Sequence, residues 1–284
     1  MASYTDLAKK FHDKATEFGV HLASINTLND EVKVRTEKLL VSIEKLMGTQ
    51  SIAAKIQKPS AILMVSAHWE ANPISITSSA APELIYDYYG FPDPAYSIEY
   101  PSPGEPALAE KVHQALAKAN IDSTLNPSRG FDHGMYVPLK IMYPEADIPC
   151  VQLSLHPSLE RSLHLAIGEA LQQLDYDNLL IIGSGFTFHN MRAFFTPESA
   201  EIKAQNMAFE QWLVDVCGNT ELSEQQRQAK LLEWQMAPAA RFSHPREEHL
   251  LPLHVCYGAA MRPCSDIYEL SIANKQASMF LWGD

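Results

Sequence analysis

Two long apolar runs dominate the pattern of hydrophobic and polar positions along the chain. One covers residues 61–67 and ends at His68, and the other covers residues 179–183 and leads through a glycine-containing turn to His189. Apolar runs without alternation are typical of central strands in a parallel sheet that is covered on both faces. Because ligands of open α/β sheets bind beyond the carboxyl ends of the strands, both histidines are candidates for a functional site.

The remaining pattern alternates between helical and strand-like segments. Apolar positions at helical spacing predict helices over residues 3–18, 30–48, 106–120, 135–143, 158–174, 197–217, 223–234 and 247–260. Further strands are predicted at residues 74–77, 150–155, 268–272 and 277–281. This alternation predicts an α/β fold with a mostly parallel central sheet and helices on both faces. Since no linker-like change of composition divides the chain, residues 1–284 are predicted to form a single domain, with residues 1–58 as a mostly helical N-terminal part.

A tyrosine-rich loop, residues 81–106, has little periodicity and contains many prolines and aspartates as well. Loops of this length in compact domains are usually functional or lid-like. Its aromatic side chains either line a pocket for a flat substrate or pack on the body of the protein, and the sequence leaves both interpretations open. These side chains are Tyr86, Tyr88, Tyr89, Phe91, Tyr96 and Tyr100.

Composition and charge narrow the range of partners. The chain carries 22 basic and 34 acidic residues, a formal net charge of −12, and has no local block of lysine or arginine. This balance disfavours nucleic acids and anionic membranes as partners. The four cysteines form no Cys-x-x-Cys pair, the N-terminus lacks the apolar core of a signal peptide, and no stretch is long enough to span a bilayer. The sequence therefore predicts a reduced, cytoplasmic protein, and it favours no particular oligomeric state.

Five of the eleven histidines are candidates for chemistry because of where they lie. His68 and His189 follow predicted strands, and His133 occupies a glycine-bearing turn. His249 stands near the start of a predicted helix, and His21 lies two residues after a glycine near the N-terminus. Neutral imidazole is a common metal ligand and also an acid/base near neutral pH. Imidazole and carboxylate without thiolate suit zinc, Fe(II) or manganese. Asp132 and Glu248 each flank a candidate histidine and are predicted to orient it.

Other histidines and motifs predict no chemistry of their own. His12, His113 and His164 lie in predicted surface helices and are expected to be structural or solvated, and His254 is expected to be a core or supporting residue. Gly183-Ser184-Gly185 differs from the nucleophile elbow of hydrolases. It also lacks the third glycine and the following helix of a dinucleotide-binding loop.

Four separated segments combine histidines with distinctive neighbours. They are Ser66-Ala67-His68-Trp69-Glu70, Phe131-Asp132-His133-Gly134-Met135-Tyr136-Val137-Pro138-Leu139, Gly183-Ser184-Gly185 leading to His189-Asn190-Met191-Arg192, and His244-Pro245-Arg246-Glu247-Glu248-His249-Leu250-Leu251-Pro252-Leu253. Together they resemble the class III extradiol ring-cleaving dioxygenases, and within that family the 4,5-DOPA extradiol dioxygenase-like branch. The resemblance extends from about residue 59 to the C-terminus, with the motifs in the family's order.

The resemblance implies a reaction, a cofactor and small-molecule partners. Such an enzyme opens the ring of a small, DOPA-like catechol next to the diol and inserts both atoms of O2. Its partners would therefore be a small aromatic diol and O2. Fe(II) is the expected cofactor, with Zn(II) as the alternative metal in the isolated protein. Residues 1–284 would then be one extradiol-dioxygenase-like catalytic domain.

By motif match, the resemblance also implies roles for individual residues. His68 and His249 match metal ligands. His189 matches a histidine that is catalytic in some members and metal-bound in others, and His133 matches a further catalytic histidine near the substrate. The family's remaining ligand lies in an N-terminal His-Gly-Ser-Pro segment after a strand. Only His21 corresponds to it here, and Leu-Ala-Ser follows it instead.

The resemblance further implies that His156 and Tyr136 contact the substrate. His156 stands in a His-Pro-Ser motif, and Tyr136 belongs to the second of the four segments.

In an extradiol reaction, His189 or His133 would take a proton from the catechol and later return one. The same histidines would also suit a zinc-dependent hydrolase that uses metal-bound water. The departure at His21 alternatively suits a non-catalytic homologue whose metal site has decayed.

Overall fold

A computed structural model describes residues 52–90, 93–272 and 274–283. The helices predicted over residues 3–18 and 30–48 lie outside the described residues, as do His12 and His21. Among the described helices, none is long and apolar enough to cross a membrane.

Five strands form the central sheet, and two more form a separate antiparallel hairpin. The strands are β1 (Ala61–Glu70), β2 (Ile74–Thr77), β3 (Ser123–Asn126), β4 (Cys150–Leu155), β5 (Leu179–Ser184), β6 (Asp266–Ile272) and β7 (Lys275–Leu281). The order in the sheet is β3-β2-β4-β1-β5, and β6 pairs with β7. The pairs β1–β4, β1–β5 and β2–β3 are parallel, and β2–β4 is antiparallel. The predicted mostly parallel sheet is therefore confirmed.

The helices lie between the strands of the sheet and, several in succession, between β5 and β6. They are α1 (Pro106–Lys118), α2 (His133–Met142), α3 (Arg161–Leu171), α4 (Met191–Phe195), α5 (Ala200–Gly218), α6 (Glu224–Leu232), α7 (Ala240–Ser243) and α8 (Leu251–Ala260), with short 3-10 turns at Asp93–Ser97 and Trp234–Met236. The helix predicted over residues 247–260 begins only at Leu251. Pro252 therefore lies in its first turn, where no amide donor is needed.

The lack of alternation in β1 has a direct structural cause, because the strand lies between two apolar cores. Leu63 and Val65 pack into a core that α1, α3 and α8 complete. Ile62 and Met64 point to the opposite face, where they meet α2. Helices thus cover both faces, as predicted, and the apolar residues 61–65 are all removed from water.

This topology brings the candidate segments to one edge of the sheet. Because β1, β4 and β5 are parallel neighbours, their carboxyl ends meet there. His68 lies at the end of β1, His156 follows β4, and His189 lies in the loop after β5. The fold therefore supplies the arrangement that the apolar runs predict.

Candidate active site

Four imidazole rings meet at the carboxyl edge of the sheet and form a four-histidine cluster (His68, His133, His189 and His249). The ring centroids of His133 and His68 are 3.9 Å apart, and those of His68 and His249 are 4.9 Å apart. His249 in turn stacks on His189 at 3.4 Å with an interplanar angle of 17°. The structure thus brings together four of the five predicted histidines in a row of contacts.

Two glycines allow this close approach. A Cβ on Gly134, in the first turn of α2, would lie 2.6 Å from Ser66 Oγ and 2.8 Å from His68 Cδ2. A Cβ on Gly185 would overlap the carbonyl oxygen of His249, which accepts the backbone N–H of Phe186 at 3.0 Å. The Gly-Ser-Gly turn therefore lets the backbone after β5 pass directly against the segment that carries His249.

Each end of the row carries a carboxylate on a ring nitrogen. The Nδ1 atom of His133 lies 2.7 Å from Asp87 Oδ1, which also accepts the backbone N–H of His133 at 3.1 Å. The Nδ1 atom of His189 lies 3.1 Å from Glu248 Oε1. In both cases the contact leaves Nε2 as the ring nitrogen for further chemistry.

The predicted orienting roles of the flanking acids are wrong. Asp132 is fully buried and turns away from His133, because its carboxylate accepts hydrogen bonds from Ser66 Oγ at 2.8 Å and from the Gln152 side chain. Glu248 orients His189 instead of its neighbour His249. Adjacent residues on a turn or helix point in different directions, so adjacency in sequence misidentified both partners.

Sequence reasoning missed Asp87 as a site residue. It lies in the tyrosine-rich loop, 46 positions before His133 in the chain. The one signal available was the loop itself, whose length and aromatic content indicated a functional segment.

Burial favours the neutral form of two imidazoles of the cluster, those of His68 and His249. Desolvation, together with the neighbouring ring of His133, lowers the pKa of His68 to about 4. Desolvation also lowers the pKa of His249 far below its ordinary value, with further lowering by His189 and His68. The Nδ1 atom of His249 is buried and has no hydrogen-bond partner among the described residues. Neutral imidazoles with free lone pairs are the form that binds metal ions.

The two carboxylates stay ionised beside these rings. Burial alone would raise the pKa of Asp87, but hydrogen bonds from the ring and backbone of His133 outweigh it and bring the pKa to about 2. Burial likewise opposes ionisation of Glu248, yet the hydrogen bond from His189 and the charge of Arg246 lower its pKa overall. Candidate ligand atoms lie within 4.8 Å of one another in two groups, His68-Asp87-His133 and His189-Glu248-His249. This nitrogen and oxygen donor set fits Fe(II), Zn(II) or Mn(II).

An ion-pair chain connects the end of β1 to His189. Arg246 binds Glu70 through both guanidinium nitrogens, at 2.6 and 2.8 Å. The same guanidinium lies 3.4 Å from Glu248 Oε2, and Glu248 holds His189. Glu248 is therefore shared between an imidazole and a guanidinium.

The tyrosine-rich loop supports both interpretations of its aromatic residues. Tyr100 is buried in the core, and its hydroxyl donates to Tyr143 O at 3.0 Å. Tyr88 instead packs edge-on against His133, with ring centroids 5.5 Å apart. Tyr136 lies behind it, is fully buried, and donates its hydroxyl to the Tyr88 hydroxyl at 3.1 Å. Phe91 lies outside the described residues.

His156 follows β4 at the same sheet edge but makes no ring contact with the four-histidine cluster among the described residues. Its Nδ1 lies 2.7 Å from Ser158 Oγ, and its backbone N–H donates to His164 Nε2 at 3.1 Å. His164 is buried rather than on the helix surface, and these contacts fit the structural role expected for it. His254 is a core residue, as expected, with its ring nitrogens bound to backbone carbonyls.

Comparison with known proteins identifies a family that this chain matches. A family model described as the catalytic LigB subunit of aromatic ring-opening dioxygenase matches residues 21–276. The dioxygenase tasH of Hapsidospora irregularis is 38% identical over 72% of this chain and 65% of its own length. The chain thus spans slightly less than two thirds of that relative.

Two further relatives carry the name 4,5-DOPA dioxygenase extradiol. The Mirabilis jalapa protein is 38% identical over 72% of this chain and 74% of its own length. The Escherichia coli protein is 32% identical over 84% of this chain and 82% of its own length. A solved structure of an uncharacterized protein from E. coli K12 superposes with a TM-score of 0.66 at 28% identity, covering 83% of this chain and 91% of that one.

Proposed function

Because the chain belongs to the LigB family of aromatic ring-opening dioxygenases, we propose that it opens the ring of a small, DOPA-like catechol next to the diol, using O2. The enzyme class expected from the sequence, an extradiol ring-cleavage dioxygenase, is confirmed at the level of the family. The observation that carries the proposal is the four-histidine cluster at the carboxyl edge of the parallel sheet. Residues 1–284 would act as one catalytic domain, with residues 1–58 as its N-terminal part.

The metal ion is assigned to three imidazoles of the four-histidine cluster and to one from the N-terminal segment. His68 and His249 are the first two ligands, His189 is the third, and His21 is a further ligand from the N-terminal segment. Fe(II) is the expected metal and Zn(II) the alternative in the isolated protein. When bound, Fe(II) would supply a Lewis acid for the catechol oxygens and a redox centre for O2.

Proton transfer is assigned to His133. Asp87 occupies its Nδ1, so Nε2 is free to accept a proton from a catechol hydroxyl and to return one later. The ring lies 3.9 Å from that of His68, close enough to serve a substrate held beside it. Acid/base catalysis of this kind contributes about 10²–10⁴-fold in rate.

The substrate's flat ring is assigned to the aromatic side of the cluster. Tyr88 presents its ring to His133, and Tyr136 holds Tyr88 from behind through their hydroxyls. Tyr136 would therefore shape the pocket through Tyr88. His156 comes to the same sheet edge because Leu155 pairs with Glu70 in the β1–β4 register, and it would border the substrate there.

Anaerobic reconstitution with Fe(II), followed by a panel of catechols that includes DOPA, tests the proposal. We expect a yellow ring-fission product and equimolar uptake of O2. Metal analysis of anaerobically purified wild-type and His21→Ala proteins should show a lower metal content in the variant.

Three other outcomes would contradict the proposal. The first is the absence of product with every catechol. The second is Zn(II)-dependent ester or amide cleavage that removal of O2 leaves unchanged, which would favour a hydrolase. The third is a folded wild-type protein that retains almost no metal, which would favour a non-catalytic homologue.

A further inference from the structure

We infer that Asp87 is a positioning residue that fixes both the orientation and the tautomer of His133. Asp87 Oδ1 accepts the Nδ1 proton of this ring, so that Nε2 faces the four-histidine cluster as the unprotonated nitrogen. The use of that nitrogen as a proton acceptor rests on the proposed function. The pairing itself rests on geometry alone.

The two residues are joined twice. Asp87 Oδ1 lies 2.7 Å from the Nδ1 atom of His133 and 3.1 Å from its backbone nitrogen. His133 is the first residue of α2, and Asp132, at the cap position, makes no side-chain capping bond. Asp87 therefore supplies, from a different segment, the acceptor that the start of this helix needs. A ring and a backbone amide held by one oxygen cannot rotate independently.

The segment before Asp87 is fixed against the segment before His133. The backbone N–H of Ile85 donates to Phe131 O at 2.7 Å, and the N–H of Phe131 donates to Glu83 O at 2.8 Å. A side chain at Gly130 would overlap the Glu83 carbonyl, so the two backbones are in direct contact. This short pairing places Asp87 opposite His133 before either side chain is considered.

The residues on both sides of Asp87 are fixed as well. Tyr86 donates its hydroxyl to Ile98 O at 2.7 Å, and Tyr88 donates its hydroxyl to the Ala95 carbonyl. Tyr88 also packs on the His133 ring. The tyrosine-rich loop therefore holds the carboxylate in place, and little side-chain entropy remains to be lost when it orients the imidazole.

Among the described residues, His133 is the only cationic or imidazole side chain within ion-pair distance of Asp87. An unshared carboxylate on Nδ1 holds the proton there, so that Nε2 presents its lone pair. The catalytic consequence is large, because an imidazole in the wrong tautomer offers an N–H where a lone pair is needed.

The experiment compares Asp87→Asn with Glu83→Gln, a matched change of carboxylate to amide in the same loop. Nitrogen-15 NMR of histidines in Zn(II)-loaded protein, with the His133 signals identified by their loss in His133→Gln, reports the tautomer. We expect an Nδ1–H tautomer in wild type and in Glu83→Gln. In Asp87→Asn we expect a shift of the proton to Nε2.

With Fe(II) and a catechol, Asp87→Asn should lower kcat on the order of 10²–10⁴-fold while KM and metal content change little. Adding Asp87→Asn to His133→Ala should lower turnover no further, because the two residues act as a unit. Asp87→Glu, which keeps a carboxylate, should retain the Nδ1–H tautomer and recover part of the lost turnover. It also serves as the second variant if Asp87→Asn does not fold.

An unchanged His133 tautomer in Asp87→Asn would overturn the inference. So would loss of metal in this variant, because Asp87 would then be a ligand in the group it forms with His68 and His133. A wild-type enzyme that opens no catechol would contradict the proposed function alone, since the NMR result does not depend on turnover.

Discussion

Two carboxylate–histidine pairs stand at the ends of the row His133–His68–His249–His189. Both place a carboxylate oxygen on Nδ1, at 2.7 Å for Asp87 and 3.1 Å for Glu248. They differ in what else holds the carboxylate. Asp87 receives two hydrogen bonds from His133 itself, whereas Glu248 also faces the guanidinium of Arg246, which is bound to Glu70.

This difference indicates different tasks for the two imidazoles. A carboxylate that serves one imidazole alone holds the proton on Nδ1 and leaves the lone pair of Nε2 free, as a proton acceptor requires. A carboxylate shared with a guanidinium attracts the Nδ1 proton less strongly and mainly fixes the orientation of the ring, as a metal ligand requires. His189 also stacks directly on His249, which fits a ligand pair. We therefore expect His133 to be the acid/base and His189 to be a ligand.

Removal of individual imidazoles gives the largest effect and tests this division most directly. We expect His249→Ala and His189→Ala to lose bound metal, and turnover with it. His133→Ala should retain metal and lose about 10²–10⁴-fold in kcat, because only proton transfer is removed. Elemental analysis and steady-state kinetics on the same preparations measure both quantities.

His254→Gln serves as the control, because this buried histidine bonds to backbone carbonyls outside the cluster. Metal retained in His189→Ala with kcat strongly reduced would reverse its assignment and make it the acid/base. Metal lost from His133→Ala would remove the distinction between the two ends of the row.

A smaller effect is expected when Glu248 is changed. Glu248→Gln weakens the acceptor on His189 Nδ1, and we expect metal affinity to fall about 10–100-fold, the usual effect of losing a partner that orients a ligand. Competition with a chelator measures the change. Glu247→Gln is the matched control, since the neighbouring Glu247 carboxylate pairs with Arg241 at 2.7 Å. Equal losses in the two variants would show that Glu248 has no special relation to the metal.

The sequence predicts the sheet and the histidines well because β1 is buried on both faces. Ile62 and Leu63 enter opposite cores, so a long apolar run results and its end marks the site. The edge strand β3, with the sequence Ser-Thr-Leu-Asn, has no such run and was missed. The helices α4 and α7 have five and four residues, too few for a helical period to be visible.

The supporting carboxylates were harder to predict, because their partners are distant in the chain. Asp87 is 46 positions from His133 and lies in a loop without periodicity. Asp132 is adjacent to His133, yet it points into the core, since neighbouring residues at a helix start differ by about 100° in direction. Local pattern therefore places the candidate histidines at the sheet edge, and only tertiary structure shows which acid supports which histidine.

A buried carboxyl group also lies behind each end of the row, and the two groups are satisfied to different extents. Asp132, next to His133, accepts hydrogen bonds from Ser66 and Gln152. Glu210 lies behind the loop that leads to His189, where Oε2 accepts from Ser278 Oγ at 2.9 Å and Oε1 has no partner among the described residues. Burial raises the pKa of Glu210 to about 7, although hydrogen bonds from Thr187 and Ser278 oppose the rise.

Glu210→Gln should have the smallest effect on the reaction, and a clear effect on stability. A carboxyl whose pKa is raised in the folded state ionises first in the unfolded chain, so folding loses stability as pH rises from about 4.5 to about 7. We expect the variant to be more stable than wild type by about 3 kcal/mol at pH 8, with the difference shrinking toward pH 5. Urea unfolding at both pH values measures it. If the difference in unfolding free energy between Glu210→Gln and wild type does not change with pH, the Glu210 carboxyl is as fully hydrogen-bonded as that of Asp132. The buried carboxyl groups behind the two ends of the row would then be equivalent.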